Sequence, residues 1–163
     1  MAKNKEEKTN VMRVLEQKKI AYSAHTYPHE EGVAVDGVTV AQSMGFDPAA
    51  VFKTLVARGA SKQYYVFDVP VAENLDLKKA AKAVGEKSIE MIHQKELLPL
   101  TGYVHGGCSP VGMKKLFPTV IDASAENLET MIVSAGKIGY QVELAPRDLA
   151  ALVRAKFADI IVE

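Results

Sequence analysis

Lys53 lies within the stretch AAVFKTLV and is the only charged residue between Asp47 and Arg58. An ammonium carried by so apolar a segment is costly to bury unless an anion meets it. Desolvation lowers its pKa and leaves a tuned cation or base. The same lysine also fits a strand edge from which its head group reaches water. A second candidate is TGYVHGGCSPVGMKK, where Gly102, Gly106, Gly107 and Gly112 fall within eleven residues around Ser109-Pro110. Glycines admit close backbone approach and positive φ, and bare N–H groups in such a loop hold an oxyanion, a carbonyl oxygen or a phosphate. A tight structural turn is the competing reading. The segment VSAGKIG repeats the theme with Ser134, Gly136 and Gly139 between two apolar runs, with a plain hairpin as the alternative.

Other chemistries find less support. Cys108 sits in the glycine loop with His105 three residues earlier, yet a lone cysteine between Val104 and Val111 reads more naturally as a packed side chain than as a nucleophile. His25 and His29 are four apart, but Pro28 breaks any helix that would set them on one face, and only Glu30 and Glu31 offer a further ligand. The sequence therefore implies no metal site and no cofactor. His93 and His105 have no paired partner in the sequence. There is no phosphate-binding P-loop, no G-x-S-x-G elbow and no dinucleotide fingerprint.

These residues need elements to position them. The apolar spacing of Val11, Val14 and Leu15 predicts a helix from about Thr9 to Lys19, followed by an alternating strand from Ile20 to Thr26 that Pro28 stops. Val38 to Met44 reads as a helix ended by Gly45. Asp47-Pro48 is a helix start that opens a brief segment from Ala49 to Phe52. Thr54 to Arg58 and Tyr64 to Val69 read as strands joined by a hairpin at Gly59-Ala60-Ser61-Lys62. Leu75 to Val84 is a helix with Asp76 early and Gly85 at its end. Val120 to Ile121, Met131 to Val133 and Tyr140 to Leu144 are further strands, Ala125 to Glu129 a helical turn, and Pro146 to about Arg154 a last helix. Helices and hairpins without a regular βαβ rhythm predict a mixed α+β fold.

The chain of 163 residues carries 20 Lys+Arg against 20 Asp+Glu, and 48% of its residues are hydrophobic. That length and balance predict one globular domain over residues 1–163 with its own core, and argue against disorder. Zero net charge speaks against a strongly basic DNA binder; Lys78, Lys79, Lys82, Lys114 and Lys115 are the candidates for a local basic patch. One cysteine cannot form an intrachain disulfide, which points to a reducing, cytoplasmic setting. The opening MAKNKEEKTN lacks the apolar core of a signal peptide, and no apolar run reaches the roughly 20 residues that span a bilayer.

Taken in order, HTYPH (25–29), FKTLV (52–56), PVAENLDLKKAAKAVGEK (70–87), TGYVHGGCSPVGMKK (101–115), PTVIDA (118–123), VSAGKIG (133–139) and DLAALVRAKFADI (148–160) resemble the YbaK/aminoacyl-tRNA synthetase-associated domain family. Within it they look like the bacterial Cys-tRNA(Pro) deacylases, which are similar to the editing domain inserted in bacterial prolyl-tRNA synthetases. The resemblance covers nearly the whole chain. It implies a mixed, barrel-like β-sheet flanked by helices, with a cleft for the 3′ end of a misacylated tRNA. The family's essential lysine falls on Lys53 as the catalytic residue. Its substrate-binding positions fall on Tyr27, Thr54, Gly106, Gly107 and Ser134. Gln141 stands where some relatives carry an acidic residue, Asp36 where some carry a large aromatic, and Cys108 where relatives carry an aliphatic residue.

The function so implied is trans-editing: removal of cysteine from Cys-tRNA(Pro), with Cys-tRNA(Cys) as a second substrate. The cysteine thiol would attack its own ester. Prolyl-tRNA synthetase is the implied partner. Two alternatives stay open, a deacylase for another ester such as Ala-tRNA(Pro) and a non-catalytic tRNA- or synthetase-binding module.

Overall fold

The computed structural model describes residues 8–163; residues 1–7, most of the charged opening segment, lie outside the described residues. Helix α1 spans Asn10–Gln17, with the Thr9 hydroxyl accepting from the Met12 N–H and with Val11, Met12 and Leu15 buried. It stops at Lys18, and Lys19 enters the left-handed region at φ 59°. That turn delays the first strand, β1, which covers only Ser23–Thr26 rather than starting at Ile20. Helix α2, Gly37–Met44, is capped by the Asp36 carboxylate and closed by Gly45 at φ 78°. The Asp47-Pro48 start yields a short 3-10 turn, Pro48–Ala50, and Phe52 belongs instead to the strand that follows.

Strands β2 (Phe52–Gly59) and β3 (Tyr64–Pro70) form the expected hairpin, in antiparallel register from Phe52 opposite Pro70 to Arg58 opposite Tyr64. Helix α3 runs over Leu77–Val84 from an Asp76 cap. Two elements then appear that the pattern does not announce. Strand β4, Ile89–Met91, has only three residues. Helix α4, Gln94–Thr101, contains Pro99, which reads in sequence as a breaker but is tolerated in a helix this short. Strand β5 is Thr119–Asp122, β6 is Met131–Ser134 and β7 is Tyr140–Leu144. Helix α5, Pro146–Val153, leads into β8, Lys156–Ala158, a strand too short to show alternation.

The strands form two sheets, ordered β1-β7-β6 and β4-β2-β3-β5-β8. Pairings β3–β5 and β5–β8 are parallel, and the others are antiparallel. A parallel bridge between Val51 and Ile132 joins the two sheets into a mixed, barrel-like arrangement. The α+β class is thus the one the element pattern predicts. The largest core cluster includes Val11, Leu15, Phe52, Val56, Ile121 and Leu149 and lies where the sheets and α5 converge. A second, with Ala57, Phe67, Val69, Ala80 and Ile160, lies beneath α3. No helix among the described residues is long and apolar enough to cross a membrane.

Leu149 has no solvent exposure. Leu149→Ala is expected to lower unfolding free energy by about 2–5 kcal/mol, read as a shift of the urea midpoint at unchanged m-value.

Candidate active site

Strand β2 supplies the centre of the site because its partner β4 is short. β4 pairs with β2 only from Ala57 to Gly59, and β6 bridges the chain only at Val51, so the edge of β2 from Lys53 to Leu55 has no ladder partner. The Gly59 N–H donates to the Gln63 carbonyl and the Val71 N–H to the Val51 carbonyl, each at 2.8 Å. In an antiparallel ladder this assigns the odd-numbered residues of β2 to β3. The even-numbered peptide groups face the other way, as the Val56 carbonyl shows by accepting from the Ile92 N–H at 3.4 Å. Thr54 therefore directs its backbone N–H and C=O toward the open edge.

A cavity of about 240 Å³ lies there. Its walls are Phe52 to Leu55, the start of α2 (Asp36, Gly37, Val40), Val51, Val71 and Leu97. Tyr27, Val35, His105, Gly106, Cys108, Ser134 and Gln141 complete it. The volume is below the usual range of drug-sized ligand pockets and suits a small acyl group. Gly37 is required by packing: a Cβ there would lie 2.6 Å from Val71 Cγ1.

Of the residues singled out from the sequence, Tyr27, Lys53, Thr54, Gly106 and Ser134 converge on this cavity. Lys53 and Thr54, being consecutive on a strand, approach it from opposite faces of the sheet. Lys53 makes no ion pair within 4 Å among the described residues. Burial lowers its pKa from the ordinary lysine value, while the carboxylates of Glu73 and Asp36 pull the other way. The Asp36 carboxylate is held low, first by the Thr39 hydroxyl and then by backbone N–H groups of its own helix. Ser134 is buried and its hydroxyl oxygen accepts from the Gly136 N–H at 3.1 Å. Tyr27 is buried and its N–H donates to the Gly139 carbonyl at 3.0 Å.

Gly107 departs from the expected arrangement. It does not line the cavity, and its N–H turns back to the Val104 carbonyl at 2.9 Å. A Cβ on it would sit 3.1 Å from the Ile138 nitrogen, so it serves the packing of its loop on the β6–β7 hairpin. Among the described residues, the cavity-lining amides of the glycine loop, those of His105, Gly106 and Cys108, have no protein hydrogen-bond partner. Gly106 adopts φ 90°, and a Cβ there would lie 2.7 Å from that of Ala34.

The remaining chemistry-bearing residues go elsewhere. His25 bonds Glu143 at 2.8 Å, and His29 meets the Tyr27 carbonyl at 3.0 Å. No group of three or more metal-ligating side chains forms among the described residues. No hydrogen bond joins His105 to Cys108, and burial, helped by the nearby Asp68, pushes the Cys108 thiol up to about 12. A thiol so protonated is a poor nucleophile. Lys79 is committed to Asp159, Glu163 and the Ile161 carbonyl, and so leaves the supposed basic patch.

Asp68 escaped the sequence reading. It has no solvent exposure, and its Oδ1 accepts from the Thr54 hydroxyl at 2.6 Å. Its signal was the one used for Lys53: it is the single charge in the apolar run YYVFDVPV.

Residues 32–152 match the model of the aminoacyl-tRNA editing domain. The chain belongs to this family. The editing domain is 45% identical over 161 residues to an Enterococcus faecalis (strain ATCC 700802 / V583) protein provisionally named Cys-tRNA(Pro)/Cys-tRNA(Cys) deacylase EbsC, covering 98% of both chains. It is 28% identical over 100 residues to the proline–tRNA ligase of Shouchella clausii (strain KSM-K16), covering 61% of this chain and 17% of that enzyme. A solved structure provisionally described as a trans-editing enzyme for prolyl tRNA synthetase superposes with a TM-score of 0.79 at 26% identity, covering 94% of this chain and 95% of that one.

Because burial holds the Cys108 thiol protonated, iodoacetamide at pH 8 is expected to alkylate the native protein at least about 100-fold more slowly than the urea-unfolded chain. Comparable rates would contradict the packing assigned to this side chain.

Proposed function

We propose that residues 1–163 act as one editing domain that removes cysteine from mischarged Cys-tRNA(Pro) in trans, in the cytoplasm, with Cys-tRNA(Cys) as a second substrate. The observation that carries this reading is the cavity's pairing of a cation with bare amides and no primed nucleophile. Lys53, the Gly106 and Cys108 amides and the Thr54 peptide edge surround space for a small acyl group, and nothing among them activates a serine or cysteine for attack. The provisional name of the Enterococcus faecalis relative points to the same substrate.

The substrate then supplies its own nucleophile. The cysteine sulfur attacks the ester carbonyl carbon, forming a C–S bond. The C–O bond to the ribose breaks, and the thiol proton passes to the departing ribose oxygen. The products are a small thiolactone, which water opens, and free tRNA. Holding the thiol against the ester contributes by proximity. The oxyanion of the tetrahedral intermediate is met by the Gly106 and Cys108 N–H groups and by the Lys53 ammonium. The half-buried setting strengthens those interactions relative to water. Tyr27 and Ser134 shape the wall against the acyl group. Bulk charge gives the domain little hold on phosphates, so selection of tRNA(Pro) falls to prolyl-tRNA synthetase as partner.

Incubation with Cys-tRNA(Pro), Cys-tRNA(Cys) and Ala-tRNA(Pro) tests the reading directly: loss of cysteine with alanine retained is expected, and preferential release of alanine would overturn it. Ser-tRNA, which offers a hydroxyl in place of the thiol, should react at least about 100-fold more slowly than Cys-tRNA; equal rates would indicate attack by water.

Lys53→Met should lower kcat/KM by about 100-fold or more without loss of fold. Burial lowers the Lys53 pKa, so its charged form opposes folding below that pKa and the opposition fades as pH rises. The Lys53→Met variant is therefore expected to melt at or above the wild-type temperature at pH 7. A melting temperature well below wild type would show that the lysine is structural.

A further inference from the structure

Thr54 lines the cavity, and behind it stands a carboxyl group that the mechanism above does not use. Asp68 faces Thr54 directly across the β2–β3 ladder, and the Thr54 hydroxyl donates to Asp68 Oδ1 at 2.6 Å. Asp68 has no solvent exposure, and its Oδ2 has no hydrogen-bond partner among the described residues. An uncompensated buried carboxyl is costly to keep. Its one bond has a definite polarity. A hydroxyl has a single proton, and a Thr54 that gives it to Asp68 offers the cavity only lone pairs. Gln141 lines the same cavity, and its buried Oε1 has no hydrogen-bond partner among the described residues. A Thr54 hydroxyl committed as acceptor calls for a ligand group that donates. The amino group of a bound aminoacyl ester is such a group.

The geometry points to Asp68 as a positioning residue that fixes the Thr54 hydroxyl as an acceptor for the substrate's α-amino group. This rests on the editing reading given above and adds the recognition of the amino group to it. The fixed polarity requires Asp68 to be ionised. Burial raises its pKa to about 7, with the Thr54 bond opposing that rise. Once protonated, the carboxyl can donate to Thr54, and the hydroxyl proton is then free to turn into the cavity and meet the amino group donor to donor. The titratable group facing Asp68 is Cys108, from the glycine loop. On β2, Lys53 projects from the opposite face, and on β5 the neighbour in register is Ile121. Cys108 stays protonated across the neutral range, so Asp68 is the group in this pair that changes.

The test compares wild type, Asp68→Asn, Asp68→Val, Thr54→Val and the Asp68→Val/Thr54→Val pair on Cys-tRNA(Pro) between pH 5.5 and 8.5. The amide introduced by Asp68→Asn cannot ionise and, like the protonated acid, can donate to Thr54. Wild-type kcat/KM should therefore carry a limb near pH 7 that Asp68→Asn lacks, with the variant staying near the wild-type acid-side level across the range. Titration of the substrate's own amino group and thiol is common to both proteins and cancels in the comparison. Asp68→Val and Thr54→Val should each raise KM by about tenfold, and the double variant should be no worse than either single one. Additive losses, or a limb that persists in Asp68→Asn, would overturn the proposal.

A folding control uses the linkage sign. The folded-state pKa of Asp68 is raised, so its contribution to stability is fully present below the unfolded carboxylate pKa and is lost as pH climbs through about 7. Asp68→Val should accordingly gain more in melting temperature relative to wild type at pH 8 than at pH 5. If the valine variant does not fold, the Asp68→Asn profile decides alone. Calorimetric binding of a non-hydrolysable 3′-cysteinylamido-adenosine, with its N-acetyl and 2′-deoxy forms as further arms, separates this proposal from the catalytic reading. Weaker binding on N-acetylation in wild type but not in Thr54→Val supports it, even in a protein found to cleave no ester. Sensitivity confined to the 2′-deoxy form, or no binding at all, overturns it.

Discussion

The site depends on a strand that is left partly unpaired. β4 ends its pairing with β2 at Ala57 and β6 meets the chain only at the Val51–Ile132 bridge, so the stretch from Lys53 to Leu55 has no ladder partner on that side. In a sheet such an edge is a row of peptide groups that must bond something. Here it faces a cavity closed by α2, the glycine loop and the β6–β7 hairpin. One short stretch of strand thereby presents three kinds of group to one space: an ammonium from one face, a hydroxyl from the other and a peptide edge between them. A longer β4 would cover the edge and remove the cavity.

Burial then sets the chemistry. Desolvation is the largest influence on Lys53, Asp68 and Cys108, and in each case it favours the neutral form. The effect differs with depth. Lys53 is half-buried, and the carboxylates of Glu73 and Asp36 oppose the loss of its charge. Cys108 is buried, and it becomes an inert packed thiol. Asp68 is the deepest and has a single hydrogen bond to hold its charge. A cavity that suppresses nucleophiles of its own is suited to a substrate that carries one, and this ties the absence of a primed serine or cysteine to the proposed chemistry.

Close packing explains the glycines better than loop flexibility does. A Cβ on Gly106 would strike Ala34, one on Gly37 would strike Val71, and one on Gly139 would overlap the His29 ring. The cavity walls are thus set by backbones brought near to side chains of distant segments. Gly107 belongs with these packing positions, although in sequence it is indistinguishable from its neighbour.

Several helix caps, the β2–β3 hairpin and the α+β class were legible in the chain, because Gly45, Asp47 and Gly85 act within a few residues of themselves and apolar alternation reports a local period. Lys53 was legible because a charge in an apolar run is costly wherever the run goes. The same rule applied to Asp68 would have flagged a buried carboxyl, but not its partner Thr54, which lies fourteen residues away. β4, α4 and β8 were missed because three-residue strands have no readable period and Pro99 mimics a helix break. The parallel pairing of β5 with β3 and β8, the separate fates of Gly106 and Gly107 and the placing of Gln141 and Thr54 on one cavity were settled by tertiary structure alone. Each depends on which distant backbone comes to lie alongside, and local residue preferences carry no information about that.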